Sequence, residues 1–167
     1  MTANASNTDH THYALYWLAA ARSAFAKPAD WKAWADKRIQ ESNAPNSWII
    51  ELSLANDCES LAAILASEAG KERHGLREPN VEDAVLGYVW LRYERGQISL
   101  ETCLGDLGRL SDNYETAIEC EVFYTMLNRL ERAPSTGDER VMIEAEAKVC
   151  LSALCEEASR QWHILSA

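Results

Sequence analysis

Residues that could bind a metal are few in this sequence of 167 residues. Asp9, His10 and His12 bring a carboxylate and two imidazoles close together. They belong to a polar N-terminal run, however, in which nothing would hold a coordination geometry in place. The sequence contains no H-E-x-x-H motif and no Glu-x-x-His pair of the di-iron bundle type. We therefore expect neither a metal site nor another cofactor.

The cysteines could supply a nucleophile or a disulfide framework. Their number is odd, no C-x-x-C motif occurs, and none stands beside a histidine or a basic cluster that would stabilise a thiolate. No G-x-S-x-G motif surrounds a serine either. We predict no catalytic residue and five free, buried thiols in a reducing compartment, at Cys58, Cys103, Cys120, Cys150 and Cys155.

Acidic side chains offer a different chemistry, because 26 Asp and Glu stand against 16 Lys and Arg and give a net charge of −10. This charge opposes contact with nucleic-acid phosphates and anionic lipids, so neither nucleic acid nor membrane is expected as a partner. Residues 112–167 hold eleven acidic and five basic residues, a net charge of −6. Over half of the excess therefore lies in the last third of the chain.

Six of these acids form the predicted partner-binding surface. On the seventh predicted helix three acids follow one another at spacings of three and four residues, where like charges cost a few tenths of a kcal/mol per pair. Three more flank the apolar stripe of the eighth helix. A solvated face that keeps the protein soluble is the alternative interpretation. The predicted surface consists of Asp112, Glu115, Glu119, Glu139, Glu146 and Glu157.

The elements that position these acids are predicted to be helices throughout. Breakers and capping residues divide the chain into about eight helical segments, and strand signals do not compete. We predict an all-α fold, with a disordered tail at residues 1–11 and a single compact helical bundle at 12–167. The last two helices, at about 113–132 and 138–165, are expected to be the longest and to run antiparallel across the A-P-S-T-G break.

Features of the sequence indicate a cytoplasmic protein. The longest apolar run, 13–21, has nine residues, whereas a membrane-spanning helix needs roughly 20. The first twelve residues lack the basic and apolar regions of a secretory signal.

Caps and breakers predict individual helix ends. Asp30 is expected to cap the second helix, Asn80 the fifth and Ser99 the sixth. The charged stretch 71–79 is the candidate linker.

Glycines and tryptophans predict close packing. Gly105 and Gly108 would allow a neighbouring element to approach the sixth helix closely. Trp31, Trp34 and Trp48 are expected to share an aromatic core, with an exposed aromatic anchor as the alternative.

Two stretches carry a resemblance to a known class of proteins. They are D-W-K-A-W-A-D-K-R-I-Q-E-S-N-A-P-N-S-W-I-I-E-L-S-L-A at 30–55 and L-G-Y-V-W-L-R-Y-E-R-G-Q-I-S-L at 86–100. Together they resemble small helical bacterial proteins that accompany toxin or effector genes, some of which serve as immunity proteins. The resemblance implies a helix-only inhibitor of a basic, nuclease-like or other toxin domain, and it assigns no binding residues.

Charge, missing catalytic motifs and resemblance lead to one functional hypothesis and two alternatives. The leading hypothesis is a non-enzymatic protein-binding module, an immunity protein that neutralises a cognate toxin through an acidic helical surface. The first alternative is an adaptor or regulatory bundle that binds a partner helix or forms a homodimer. The second is an enzyme with an unrecognised site.

Overall fold

A computed structural model describes residues 9–70, 81–114, 116–133 and 137–167. The described residues form eight α-helices and no strand, which confirms the all-α class. The helices are α1 (Asp9–Arg22), α2 (Pro28–Glu41), α3 (Ser47–Leu54), α4 (Cys58–Gly70), α5 (Val81–Glu94), α6 (Leu100–Asn113), α7 (Cys120–Arg132) and α8 (Asp138–Ser166). None of these described helices combines the length and the apolar character needed to cross a membrane. The linker predicted at 71–79 and the cap predicted at Asn80 lie outside the described residues.

Contacts divide the described chain into two compact units. The first contains the residues up to Val81 together with Gln161–Ala167, and the second contains Glu82–Arg160. Helix α8 supplies residues to both, because its first 23 residues precede Gln161. That residues 12–167 form a single domain stays a prediction.

The first unit is built around the apolar run 13–21, which forms most of helix α1. Helix α1 is buried on nearly all sides from Tyr16 to Ala21, as expected for a helix that is apolar all round. It packs mainly against α4, and α2 packs against α3. The helix begins at Asp9, three residues before the predicted start of the helical bundle at residue 12, and it ends at Arg22. Its end is marked by Ala24, which adopts a left-handed conformation with a φ of 56°.

Tryptophan side chains fill the rest of this core, as predicted. Trp31, Trp34 and Trp48 are all buried, and the rings of the last two stack with centroids 5.9 Å apart. The Trp31 indole N–H donates a hydrogen bond to the Ala55 carbonyl oxygen at 3.0 Å. Trp162 of α8 adds an edge-to-face contact with the buried ring of Phe25. These three predicted tryptophans are therefore core residues and not exposed anchors.

The second unit depends on close helix approaches at glycine. A Cβ atom on Gly108 of α6 would lie 2.5 Å from the Tyr124 ring of α7, so the predicted close approach is confirmed there. A second approach was not predicted: a Cβ atom on Gly87 of α5 would overlap the backbone carbonyl group of Leu154 in α8. The Cys155 thiol also lies 3.9 Å from the Gly87 carbonyl oxygen. Glycine is therefore what lets α5 lie directly against α8.

Two predicted caps have different outcomes. Ser99 caps α6 as predicted, because its hydroxyl oxygen accepts a hydrogen bond from the Thr102 backbone N–H at 3.1 Å. Asp30 does not occupy the cap position of α2, which begins at Pro28. Its carboxylate instead reaches back and accepts a hydrogen bond from the Lys27 backbone N–H at 2.7 Å. Proline at the first helical position explains the earlier start, since its fixed φ suits a helix and its missing N–H is not needed there.

The boundary between α6 and α7 was predicted wrongly. Helix α6 continues to Asn113, and α7 begins only at Cys120, so α7 has 13 residues and is not one of the two longest helices. The intervening backbone is held by a contact from another helix, because the Ala117 N–H donates a hydrogen bond to Asp83 of α5 at 2.7 Å. Helix α8 has 29 residues and is long, as predicted. The antiparallel arrangement of α7 and α8 stays a prediction.

Candidate functional site

The acids predicted on α8 are engaged within the protein. Arg129, near the end of α7, donates hydrogen bonds from Nε to Glu139 Oε1 at 2.8 Å and from Nη1 to Glu146 Oε2 at 2.7 Å. A further bond joins its Nη2 to Glu146 Oε1 at 3.2 Å. One guanidinium group therefore binds two of the six predicted acids, one of them through both carboxylate oxygens.

The pKa values of Arg129 and Glu146 are shifted by the same hydrogen bonds. The hydrogen bonds that Arg129 donates to Glu146 and then to Glu139 raise the pKa of its guanidinium group. In return, the hydrogen bond from Arg129 lowers the pKa of Glu146 below its usual value. These acids are half-buried beside the apolar stripe, where the sequence placed them, but they serve the contact between α7 and α8.

The third acid predicted on α8 is also paired. Glu157 Oε1 lies 2.7 Å from Arg160 Nη2, one turn further along the helix. A basic partner that approached any of the three α8 acids would compete with an arginine of the same chain. Their contribution to an open acidic surface is correspondingly reduced.

The acids predicted on the seventh helix lie at the junction between two helices. Asp112 is in the last turn of α6, and Glu119 is the residue that precedes the first turn of α7. The sequence spacing predicted that they share one helical face, and this prediction is wrong. Both side chains are exposed. Glu115, the third member, lies outside the described residues.

One acid that sequence reasoning missed belongs to the same junction. The Cys120 thiol lies within hydrogen-bonding distance of Asp112 Oδ1, at 3.9 Å, and of Glu121 Oε2, at 3.5 Å. The two carboxylates therefore approach the same sulfur atom. Glu119 is the residue that precedes Cys120 in the chain. We call Asp112, Glu119 and Glu121 the acidic junction. In the ranges that the structure describes, none of these three acids makes an ion pair.

The acidic junction has a chemical effect on its own thiol. Burial, followed by the hydrogen bond to Glu121 and the charges of Glu121 and Asp112, raises the pKa of Cys120 above its usual value. Burial likewise raises the pKa of Cys103 and of Cys155 to about 12. Raised pKa values keep these thiols protonated at neutral pH, which disfavours nucleophilic chemistry at them.

Exposure of the cysteines differs from the prediction. All five are free thiols, as predicted, but Cys103 alone is buried and Cys150 is exposed on α8. Within the described ranges, no three His, Cys, Asp or Glu side chains are grouped so that they could hold a metal ion. Asp9, His10 and His12 belong to the start of α1, where the structure does not describe the side chains.

A shallow cleft in the first unit offers binding surface. It has a volume of about 300 Å³ and is lined by Trp34 and Trp162, with Lys37 and Arg38 among its other residues. The Lys37 ammonium group already donates a hydrogen bond to the Ala167 carbonyl oxygen at 3.0 Å. Asp30 also lines the cleft, so both signs of charge are present there, whereas the acidic junction presents negative charge only.

Comparison of the chain with protein-family models, with curated proteins and with solved structures finds no match. The protein is therefore classified by its fold alone, as an all-α protein.

Proposed function

We propose that this protein is a non-enzymatic binding module that meets a basic protein partner through the acidic junction. The observation that supports the proposal is the contrast between the two groups of acids. Glu139 and Glu146 are both paired with one arginine of the same chain. Asp112 and Glu119 are exposed and, among the described residues, unpaired, with Glu121 beside them.

Electrostatics favour the junction as the place of first contact. Like charges held close together raise the local negative potential, and such a potential steers a partner of opposite charge and accelerates association. Folding gains nothing evident from placing Asp112 and Glu121 at the same thiol. Two carboxylates at one thiol repel each other in the isolated chain. A basic partner that binds there would reduce this repulsion.

A toxin domain is the partner class that we propose, on the basis of the resemblance described above. In that setting the protein would be a cytoplasmic immunity protein that binds a cognate, positively charged toxin and blocks its action. The charge of −10 agrees with a basic protein partner and disfavours nucleic acid and anionic membrane.

The direct test takes a toxin domain whose gene lies beside the gene of this protein. We expect a complex at micromolar concentration or tighter, and survival of cells that express the toxin together with this protein. Absence of a complex at that concentration, together with absence of rescue, would contradict the proposal.

A pair of double variants tests whether the acidic junction is the contact. Asp112→Lys with Glu119→Lys reverses two charges in the junction, and Glu51→Lys with Glu131→Lys reverses two exposed charges elsewhere. Both change the net charge equally. We expect the junction variant to associate roughly tenfold more slowly at low salt, and the control to change little. Equal slowing in both variants would show that net charge matters and that the junction does not.

A further inference from the structure

The cleft of the first unit is lined by three indole rings. Its residues come from α1, α2 and the last turns of α8, all of which belong to that unit. The ring of Trp17 lies with its centroid 5.8 Å from that of Trp34 and 6.0 Å from that of Trp162. The volume of about 300 Å³ is at the lower end of the range of about 300 to 1,000 Å³ that small-molecule sites occupy. The cleft is therefore sized for a small molecule and not for a folded partner.

Three N–H groups on residues that line the cleft have no acceptor within the described chain. They are the indole N–H groups of Trp17 and Trp34 and the Nε–H group of Arg38, and all three nitrogen atoms are buried. The ring of Trp34 links them, because it lies 5.5 Å from the Arg38 guanidinium carbon as well as against Trp17. Buried N–H groups nearly always have a hydrogen-bond partner in folded proteins. Three unsatisfied donors in one cluster therefore favour an acceptor that the chain itself does not supply.

Access to these donors requires a local movement. Trp17 and Trp34 are only 1% and 7% exposed, and water does not reach their indole nitrogens in the free chain. The side chains of Arg38 and Trp162 are half-buried members of the same wall. A ligand that draws the Arg38 guanidinium toward itself would uncover the edge of the Trp34 ring.

Positive charge is concentrated at one end of the cleft. Lys37 and Arg38 follow each other near the end of α2, and both line the cleft. Asp30 lies seven residues before Lys37, which is about 10 Å along the helix. Its carboxylate already accepts a backbone hydrogen bond at the start of α2. A single negative charge on a ligand is therefore favoured at the Lys37 end, whereas Asp30 disfavours a doubly charged phosphate.

Both cations keep donors for a ligand. The Lys37 ammonium group donates one of its three hydrogens to the Ala167 carbonyl oxygen. Arg38 Nη2 donates to the Tyr13 hydroxyl group at 3.3 Å, and Arg38 Nη1 lies 3.6 Å from Glu41 Oε2, beyond ordinary hydrogen-bonding distance. A carboxylate is the acceptor that a planar guanidinium group binds with two parallel hydrogen bonds.

From these observations we infer that the cleft of the first unit binds a small aromatic carboxylate, with its ring against the indole rings and its carboxylate at the end formed by Lys37 and Arg38. Aromatic side chains favour stacked or edge-to-face contact with a ligand ring. This inference goes beyond the proposed function, because it concerns a small molecule and the first unit, whereas the acidic junction belongs to the second unit.

Titration of the full chain with phenylacetate tests the inference. Phenylacetamide keeps the ring without the charge, and acetate keeps the charge without the ring. We expect phenylacetate to bind with a Kd of about 1 mM or lower, at least tenfold tighter than either comparator. In nitrogen–proton correlation NMR spectra, the indole N–H resonances of Trp17 and Trp34 should move downfield, and that of Trp90 in the second unit should not. Equal affinity for phenylacetate and its amide, or shifts that do not saturate, would overturn the inference.

Two variants with matched controls test the location. Ala33 is an exposed residue that lines the cleft, so Ala33→Leu should fill part of it and weaken phenylacetate binding at least tenfold. Ala66→Leu adds the same side chain at an exposed position of α4 and should leave binding unchanged. Lys37→Gln should weaken binding of phenylacetate several-fold, whereas Lys148→Gln, an equal change of charge in the second unit, should not. Equal effects within either pair would contradict the assigned site, and melting curves would verify that all four variants are folded.

Discussion

Three glycines inside helices of the second unit provide a quantitative test of the packing. Replacing a glycine in a helix by alanine lowers the conformational freedom of the unfolded chain and stabilises a protein by about 1 kcal/mol when the new methyl group has room. Gly105, Gly108 and Gly87 all lie within helices, so this gain is similar for the three. Differences among the variants therefore report what the added Cβ atom meets.

The structure assigns a different outcome to each position. At Gly105 the nearest atom is Cδ2 of Leu127 at 4.0 Å, an ordinary contact, so alanine should stabilise by about 0.5 to 1 kcal/mol. At Gly108 the Cβ atom meets the Tyr124 ring at 2.5 Å. That ring belongs to a residue exposed by 38% and can move aside, so gain and cost nearly cancel.

Gly87 is the critical position, because its neighbour cannot move aside. The added Cβ atom would overlap the backbone carbonyl group of Leu154, and it would lie 3.0 Å from the backbone nitrogen of Cys155. Relief requires α5 and α8 to separate. Overpacking typically costs about 1 to 3 kcal/mol, and an overlap with backbone atoms belongs at or above the upper end of that range. After subtracting the helix gain of about 1 kcal/mol, we expect Gly87→Ala to destabilise by about 2 kcal/mol or more.

Urea unfolding of the three variants at 25 °C measures these differences. The free energies of unfolding can be compared directly when the dependence on urea stays the same. We expect the order of stability Gly105→Ala, then Gly108→Ala, then Gly87→Ala. A Gly87→Ala protein as stable as Gly105→Ala would refute the contact between α5 and α8.

Further predictions concern the core, the thiols and an ion pair. Trp34→Ala should lower the free energy of unfolding by roughly 3 to 5 kcal/mol, because the side chain is only 7% exposed; wild-type unfolding would refute its place in the core. In timed alkylation at pH 8 followed by mass spectrometry, Cys150 should react well before Cys103, whose pKa is raised to about 12; equal rates would contradict the burial. The hydrogen bond from Arg140 lowers the pKa of Glu101 below 4.5, so the unfolded chain binds more protons and stability falls as the pH drops through and below that value. Glu101→Gln should reduce this acid sensitivity in urea unfolding at pH 3.5 to 7, and an unchanged pH dependence would contradict the pairing.

The sequence predicted correctly those parts of the fold that depend on interactions between residues close together in the chain. Ser99 was identified because a serine cap acts within one helical turn. The start of α8 at Asp138 and its end at Ser166 agree with the prediction to within one residue, because the apolar period persists over the whole helix. The tryptophan core followed from the size and apolar character of the side chains.

Contacts between distant residues decided the parts that were predicted wrongly. The chain between α6 and α7 departs from a helix where Asp83, more than thirty residues earlier, binds the Ala117 N–H. The overlap at Gly87 involves Leu154, which no local pattern connects to it. Cys150 was predicted to be buried, but it is exposed, and the buried stripe of α8 passes through Leu151 instead. A small rotation of the helix about its axis, set by its neighbours, is enough to make that difference.

The same reasoning explains why a count of charges could not identify the acidic surface. Glu146 and Asp112 contribute equally to the net charge. Glu146, however, is bound by Arg129, whereas Asp112 and Glu121 both lie close to the Cys120 thiol. A basic partner at Glu146 would compete with Arg129, whereas a partner at the acidic junction would meet carboxylates that, among the described residues, make no ion pair. For this reason we propose the junction, and not α8, as the contact with a basic partner, even though α8 carries more acidic residues.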